Sequence, residues 1–155
     1  MHRTLILAIL CGCLPTAALA DPCDVQTAEM VEATGATFVR RSPSGDNVFL
    51  WHPLAESFML SCRDRIGVGP GHISLNVETA YPPNDFFDLI GKAASSSLKV
   101  PAAEAGRLAM RCHKTAPADR DELSQADSKA IHVECQSFRR DGGGTIVSVW
   151  PPNPR

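Results

Sequence analysis

His113, His132 and Glu134 are the residues of this chain whose types suit metal or acid–base chemistry. Two imidazoles and a carboxylate can hold zinc or iron, and the same trio can support a small hydrolase. His132 and Glu134 share one face of a strand. His113 joins them only if its own segment is a neighbouring strand. The reading of residues 101–114 therefore decides whether a metal site at His113, His132 and Glu134 is possible. Nucleophilic chemistry has less to build on, because the chain carries neither Gly-x-Ser-x-Gly nor His-Glu-x-x-His. Gly67-Val68-Gly69-Pro70-Gly71 leads into a strand and lacks a following Lys-Ser or Lys-Thr, so it reads as a connecting turn rather than a phosphate cradle.

A second set consists of Arg40, Arg41, Arg139 and Arg140, with Trp51 and Trp150. Guanidinium groups clamp carboxylate, sulfate or phosphate in a bidentate fashion, and a nearby tryptophan can stack on a sugar or an aromatic group. At a constant offset of 99, Arg40-Arg41 aligns with Arg139-Arg140, Gly45 with Gly144, Val48 with Val147, Trp51 with Trp150 and Pro53 with Pro152. The repeat is either a duplicated hairpin unit or the shared turn chemistry of two hairpins. If the hairpins lie side by side, the four arginines converge on one ligand.

The third set is sulfur. Residues 1–20 open with Arg3 and continue through an apolar run over 5–14 to Ala18-Leu19-Ala20, the pattern of a cleaved export signal. That run is too short for a membrane span. Cys11 and Cys13 leave with it, whereas Cys23, Cys62, Cys112 and Cys135 stay. Four cysteines in an exported chain read as two disulfides rather than as thiols for metal or redox use, since no close Cys-x-x-Cys spacing remains. Three pairings are open; Cys23–Cys62 with Cys112–Cys135 is favoured because each bridge then ties elements within one half of the chain.

The elements that must position these groups follow from periodicity. Residues 25–34 carry apolar positions at helical spacing behind Asp24, a competent N-cap, and Gly35 ends the run. Residues 37–41 and 48–51 flank Ser42-Pro43-Ser44-Gly45-Asp46-Asn47, a hairpin turn by composition. Residues 57–63 and 72–78 alternate, the second with Ile73, Leu75 and Val77 inward. Asn84 is the expected cap of a helix running to Leu98, with Phe86 and Phe87 both in the core.

Residues 101–114 fit a strand through Leu108, Met110 and Cys112, or a helix through Ala105, Leu108, Ala109 and Cys112. The absence of any β-branched residue favours the helix, with Pro101 at its first position. That choice weighs against the metal site. Residues 115–129 read as a polar loop. Residues 131–136 and 145–150 then form the last two strands, with Asp141-Gly142-Gly143-Gly144 as their turn.

Six strands joined mostly by short turns predict an α+β fold: a mostly antiparallel sheet with helices packed on one face, stapled by two disulfides. Loss of the leader leaves fourteen basic against seventeen acidic residues over 21–155, a formal charge of −3. That balance argues against nucleic acid as a partner. A single domain over 21–155 is expected, periplasmic or extracellular, with no cofactor. The function expected from these features is a non-enzymatic binding or accessory module for a protein or an anionic small molecule, gripped by the arginine-bearing hairpins. The alternative is a hydrolase or metal-dependent enzyme using His113, His132 and Glu134.

Overall fold

A computed structural model describes residues 21–63, 71–139 and 143–152. The leader, most of the glycine-rich turn, Arg140 and the tip of the last hairpin lie outside the described residues. Among the described residues three α-helices and seven strands follow one another as α1 (Pro22–Thr34), β1 (Thr37–Arg41), β2 (Asn47–His52), β3 (Ala55–Ser61), β4 (Ile73–Val77), α2 (Asn84–Leu98), α3 (Ala102–Thr115), β5 (Leu123–Asp127), β6 (His132–Phe138) and β7 (Gly144–Trp150). The strands form one antiparallel sheet in the order β1-β2-β3-β4-β7-β6-β5. It is thus an α+β fold of two meanders that meet at β4 and β7.

The core forms where strand alternation meets the helices. Val48, Leu50, Phe58, Leu60, Ile73, Leu75, Val133, Cys135, Val147 and Val149 are buried on one face of the sheet. Against them lie Phe86, Phe87, Leu89 and Ile90 of α2 and Ala105, Leu108, Ala109 and Cys112 of α3, all buried. Residues 102–115 are helical, as their composition predicts. Gly91 and Gly106 let α2 and α3 touch at backbone distance. A Cβ at Gly106 would lie 2.8 Å from the Phe87 carbonyl oxygen, and one at Gly91 would overlap the Ala102 carbonyl.

Both bridges adopt the favoured pairing, Cys23–Cys62 and Cys112–Cys135, with Cα separations of 5.3 and 5.8 Å. The first ties α1 to the end of β3, and the second ties α3 to β6. In the chain-entropy description each closes a loop of tens of residues and stabilises the fold by about 3–4 kcal/mol.

Four expectations need correction. The first helix starts at Pro22, because the Asp21 carboxylate, rather than Asp24, accepts the Cys23 N–H at 2.8 Å. The second and third helices are capped by Pro83 and Pro101, which flank rather than begin them, and neither Asn84 nor any other side chain caps α2. A seventh strand, β5, lies inside the segment read as a polar loop. It is an edge strand whose residues alternate between exposed and half-buried, so it lacks the apolar face that marks a strand in sequence.

Candidate functional site

The strand order separates the arginines that the hairpin alignment would bring together. β1 is one edge of the sheet and β6 lies five inter-strand steps away, which at about 4.8 Å each is about 24 Å. Arg40 and Arg41 therefore share no site with Arg139, and the two hairpins occupy unlike places, one at an edge and one enclosed. Arg41 already has partners: Nε donates to the Gly45 carbonyl at 2.6 Å, while the terminal nitrogens reach Asp24 at 3.1 Å and Asp21 at 2.9 Å. The Cys23 N–H and then the Arg41 guanidinium hold the Asp21 carboxyl below its usual value. Arg40 lies over the Phe49 ring, 3.9 Å from its centroid. Arg139 borders a cleft of about 660 Å³ in which it and Arg120 are matched by Asp119, Asp121 and Glu122, a mixture that does not select an anion.

The histidines are separated as well. His113 projects from α3 into the covered side of the sheet, where its Nε2 lies 3.2 Å from the Ala80 carbonyl oxygen, 3.2 Å from Thr145 Oγ1 and 3.4 Å from Ser137 Oγ. The carbonyl can only accept, so Nε2 carries the proton. Burial pushes the His113 pKa down, against the opposing pull of the Ala80 hydrogen bond. His132 and Glu134 belong to the other face of β6, where His132 Nδ1 meets Asp127 Oδ1 at 2.7 Å and Nε2 meets Glu134 Oε1 at 3.3 Å. Burial opposes the His132 proton, but the bonds to Asp127 and Glu134 outweigh it and raise the pKa. His113 thus stands across the sheet from the other two, and the two carboxylates occupy opposite nitrogens of His132, so one ion cannot collect them. No group of three or more metal-ligating side chains exists among the described residues. Among the described residues His113 has hydroxyl neighbours but no carboxylate to orient it as a base.

What the strands do assemble is the face opposite the helices. Register places Arg40, Phe49, Met59, Ser74, Ser148, Glu134 and Gln125 in one row across all seven strands. A neighbouring row runs through Thr37 and Trp51, then Ser57, Asn76, Ile146, Gln136 and Leu123. On the other side, Asn47 and Ser61 lead to His72, Trp150, His132 and Asp127. Trp150 stacks on His72 with centroids 3.7 Å apart and planes 14° from parallel. Ser148 Oγ donates to Ser74 Oγ at 3.0 Å. Phe49, Met59, Ile146 and Trp150 are only half-buried and Trp51 is 57% exposed, so the face keeps apolar and aromatic surface in water.

Of the residues singled out in the sequence, Arg40, Trp51, Trp150, His132 and Glu134 meet on this face, whereas Arg41, Arg139 and His113 do not. Phe49, Met59, Ile146, His72 and Asp127 were missed. One signal was present: Val48-Phe49-Leu50-Trp51 is apolar at every position, and a strand apolar on both faces buries only one of them when helices cover a single side. Comparison with protein families, with curated proteins and with solved structures finds no match to this chain, which leaves the geometry of this face to carry the functional reading.

Proposed function

We propose that the mature chain is a non-catalytic binding module that works outside the cytoplasm and grips a protein partner through the open face of its sheet. The supporting observation is the company of side chains on that face. Trp51, Phe49, Met59, Ile146 and Trp150 sit among Arg40, Asn76, Gln136 and Glu134, on the side away from the helices. Aromatic residues, Met and Arg are the types enriched where proteins bind one another, and apolar area with a polar rim is costly to leave in water without a role. The export signal and two formed bridges support a destination in an oxidising compartment, and no helix among the described residues is long and apolar enough to cross a membrane. The arginine hairpins drop out as an anion clamp, because Arg40 and Arg41 stand on edge strand β1, five strand steps from β6 and Arg139.

A photo-crosslinking amino acid tests the reading in the native host. Placed at Met59 on the open face, it is expected to give a covalent adduct of one defined mass; placed at Arg107, exposed on α3, it is expected to give none. An absence of adducts from position 59, or the same adducts from both positions, would overturn the proposal.

A further inference from the structure

The central row of the open face is divided into two unlike halves. Its β1–β3 part carries the large side chains Phe49 and Met59, with Trp51 beside them, and its β4–β7 part carries the small polar pair Ser74 and Ser148, flanked by Ile146 on one side and by Trp150 stacked on His72 on the other. Charge is divided the same way, with Arg40 on β1 and Glu134 on β6, the latter's side chain 46% exposed. A row with knobs and a cation at one end and a trough and an anion at the other is complementary to itself.

We propose that the partner is a second copy of this chain, its sheet packed face to face on the first about a two-fold axis parallel to the strands. The inference rests on the reading of the open face as the binding surface. The direction of the axis follows from charge. An axis across the strands would set Arg40 against Arg40 of the other copy, whereas an axis along them reverses the strand order and sets Arg40 against Glu134. With the axis between β3 and β4, every position of the central row keeps its level. Phe49 then falls on Ser148, Met59 on Ser74, Trp51 on Ile146 and Trp150 on Asn47 of the opposite copy, so each large side chain meets a smaller one. This is an isologous contact, closed at two copies.

The area suffices. The two-fold sets six strands of each copy, all but β5, against the other; at about 4.8 Å of width each they cover about 29 Å, and five residues of each about 17 Å, so the contact covers about 500 Å² in projection. Two copies together reach about 1,000 Å², the lower bound for a specific interface. Sheets stacked in this way sit about 10 Å apart, within reach of Met and Trp side chains.

Sedimentation of the mature chain and two charge variants tests this. The wild type is expected to self-associate as a dimer. Arg40→Glu and Glu134→Arg each place two like-charged pairs across the contact and are expected to dimerise at least about 10-fold more weakly. An equimolar mixture of the two restores both opposite-charge pairs and is expected to dimerise as the wild type does. Circular dichroism of each variant alone checks that it folds, and recovery in the mixture is inaccessible to misfolded chains. A wild type that stays monomeric, single variants that dimerise unchanged, or a mixture that does not recover would overturn the two-fold pairing. In the crosslinking experiment at Met59, an adduct of twice the chain mass supports it. An adduct of any other mass removes this occupant while leaving the open face a binding surface.

Discussion

His113 and His132 are almost equally hidden, at 9% and 5% exposure, yet they sit on opposite sides of one sheet and their pKa values move in opposite directions. Desolvation acts on both. On the covered side it meets only a carbonyl and two hydroxyls, and the neutral ring wins. On the open side it meets two carboxylates, and the charged ring wins. Which face a residue occupies therefore matters less to its charge than what that face offers as a partner, and the helices ensure that the two faces offer different things.

The largest expected effect lies on the covered side. His113→Ala removes a buried ring and leaves the Ala80 carbonyl without that donor, so a loss of about 2–4 kcal/mol is expected in denaturant unfolding. A loss no larger than that of an exposed substitution would mean that the network around His113 is not formed.

Acidity separates the pair more sharply. A folded pKa below the ordinary 6.5 means that the unfolded chain takes up the His113 proton first, so stability falls as the pH drops from 6.5 toward the folded value. For His132 the folded pKa lies above 6.5. Its contribution is complete below 6.5 and fades as the pH rises through that higher value. From these two groups alone, stability peaks near 6.5 and declines on both sides. Histidine C2 proton shifts, followed by NMR, should assign one midpoint below 6.5 to His113 and one above it to His132; midpoints in the reverse order would break the comparison.

The smallest effect is expected from Asp127→Asn, which removes one of the two carboxylates that favour the His132 proton. Asp127 is 67% exposed and its pair with His132 is screened by water, so at most about 1 kcal/mol is lost. That loss should shrink between pH 6 and pH 9 in thermal melts, and a loss that grows with pH would place the wild-type ring in its neutral form.

The division of the sheet into two faces was partly legible in the chain. Ile73, Leu75, Val133 and Cys135 alternate cleanly with polar neighbours, because a strand covered on one side needs apolar residues only there. The third helix was legible from the lack of β-branched residues over 101–114, and with it the separation of His113 from Glu134. β5 was not legible, since an edge strand with half its residues in water has a loop's composition. Nor was the parting of the arginines. The offset of 99 records what each hairpin looks like, whereas their distance is set by the pairing of β4 with β7, a contact between strands far apart in the chain.

Gly91 and Gly106 have an influence beyond their own contact. Because α2 and α3 meet there without any side chain between them, the spacing of the pair has no slack. A single methyl group at Gly106 would act as a wedge at one end of a lever whose far end carries Cys112 and His113. The imidazole behind the sheet is thus aimed, at a distance, by two residues that have no side chain at all.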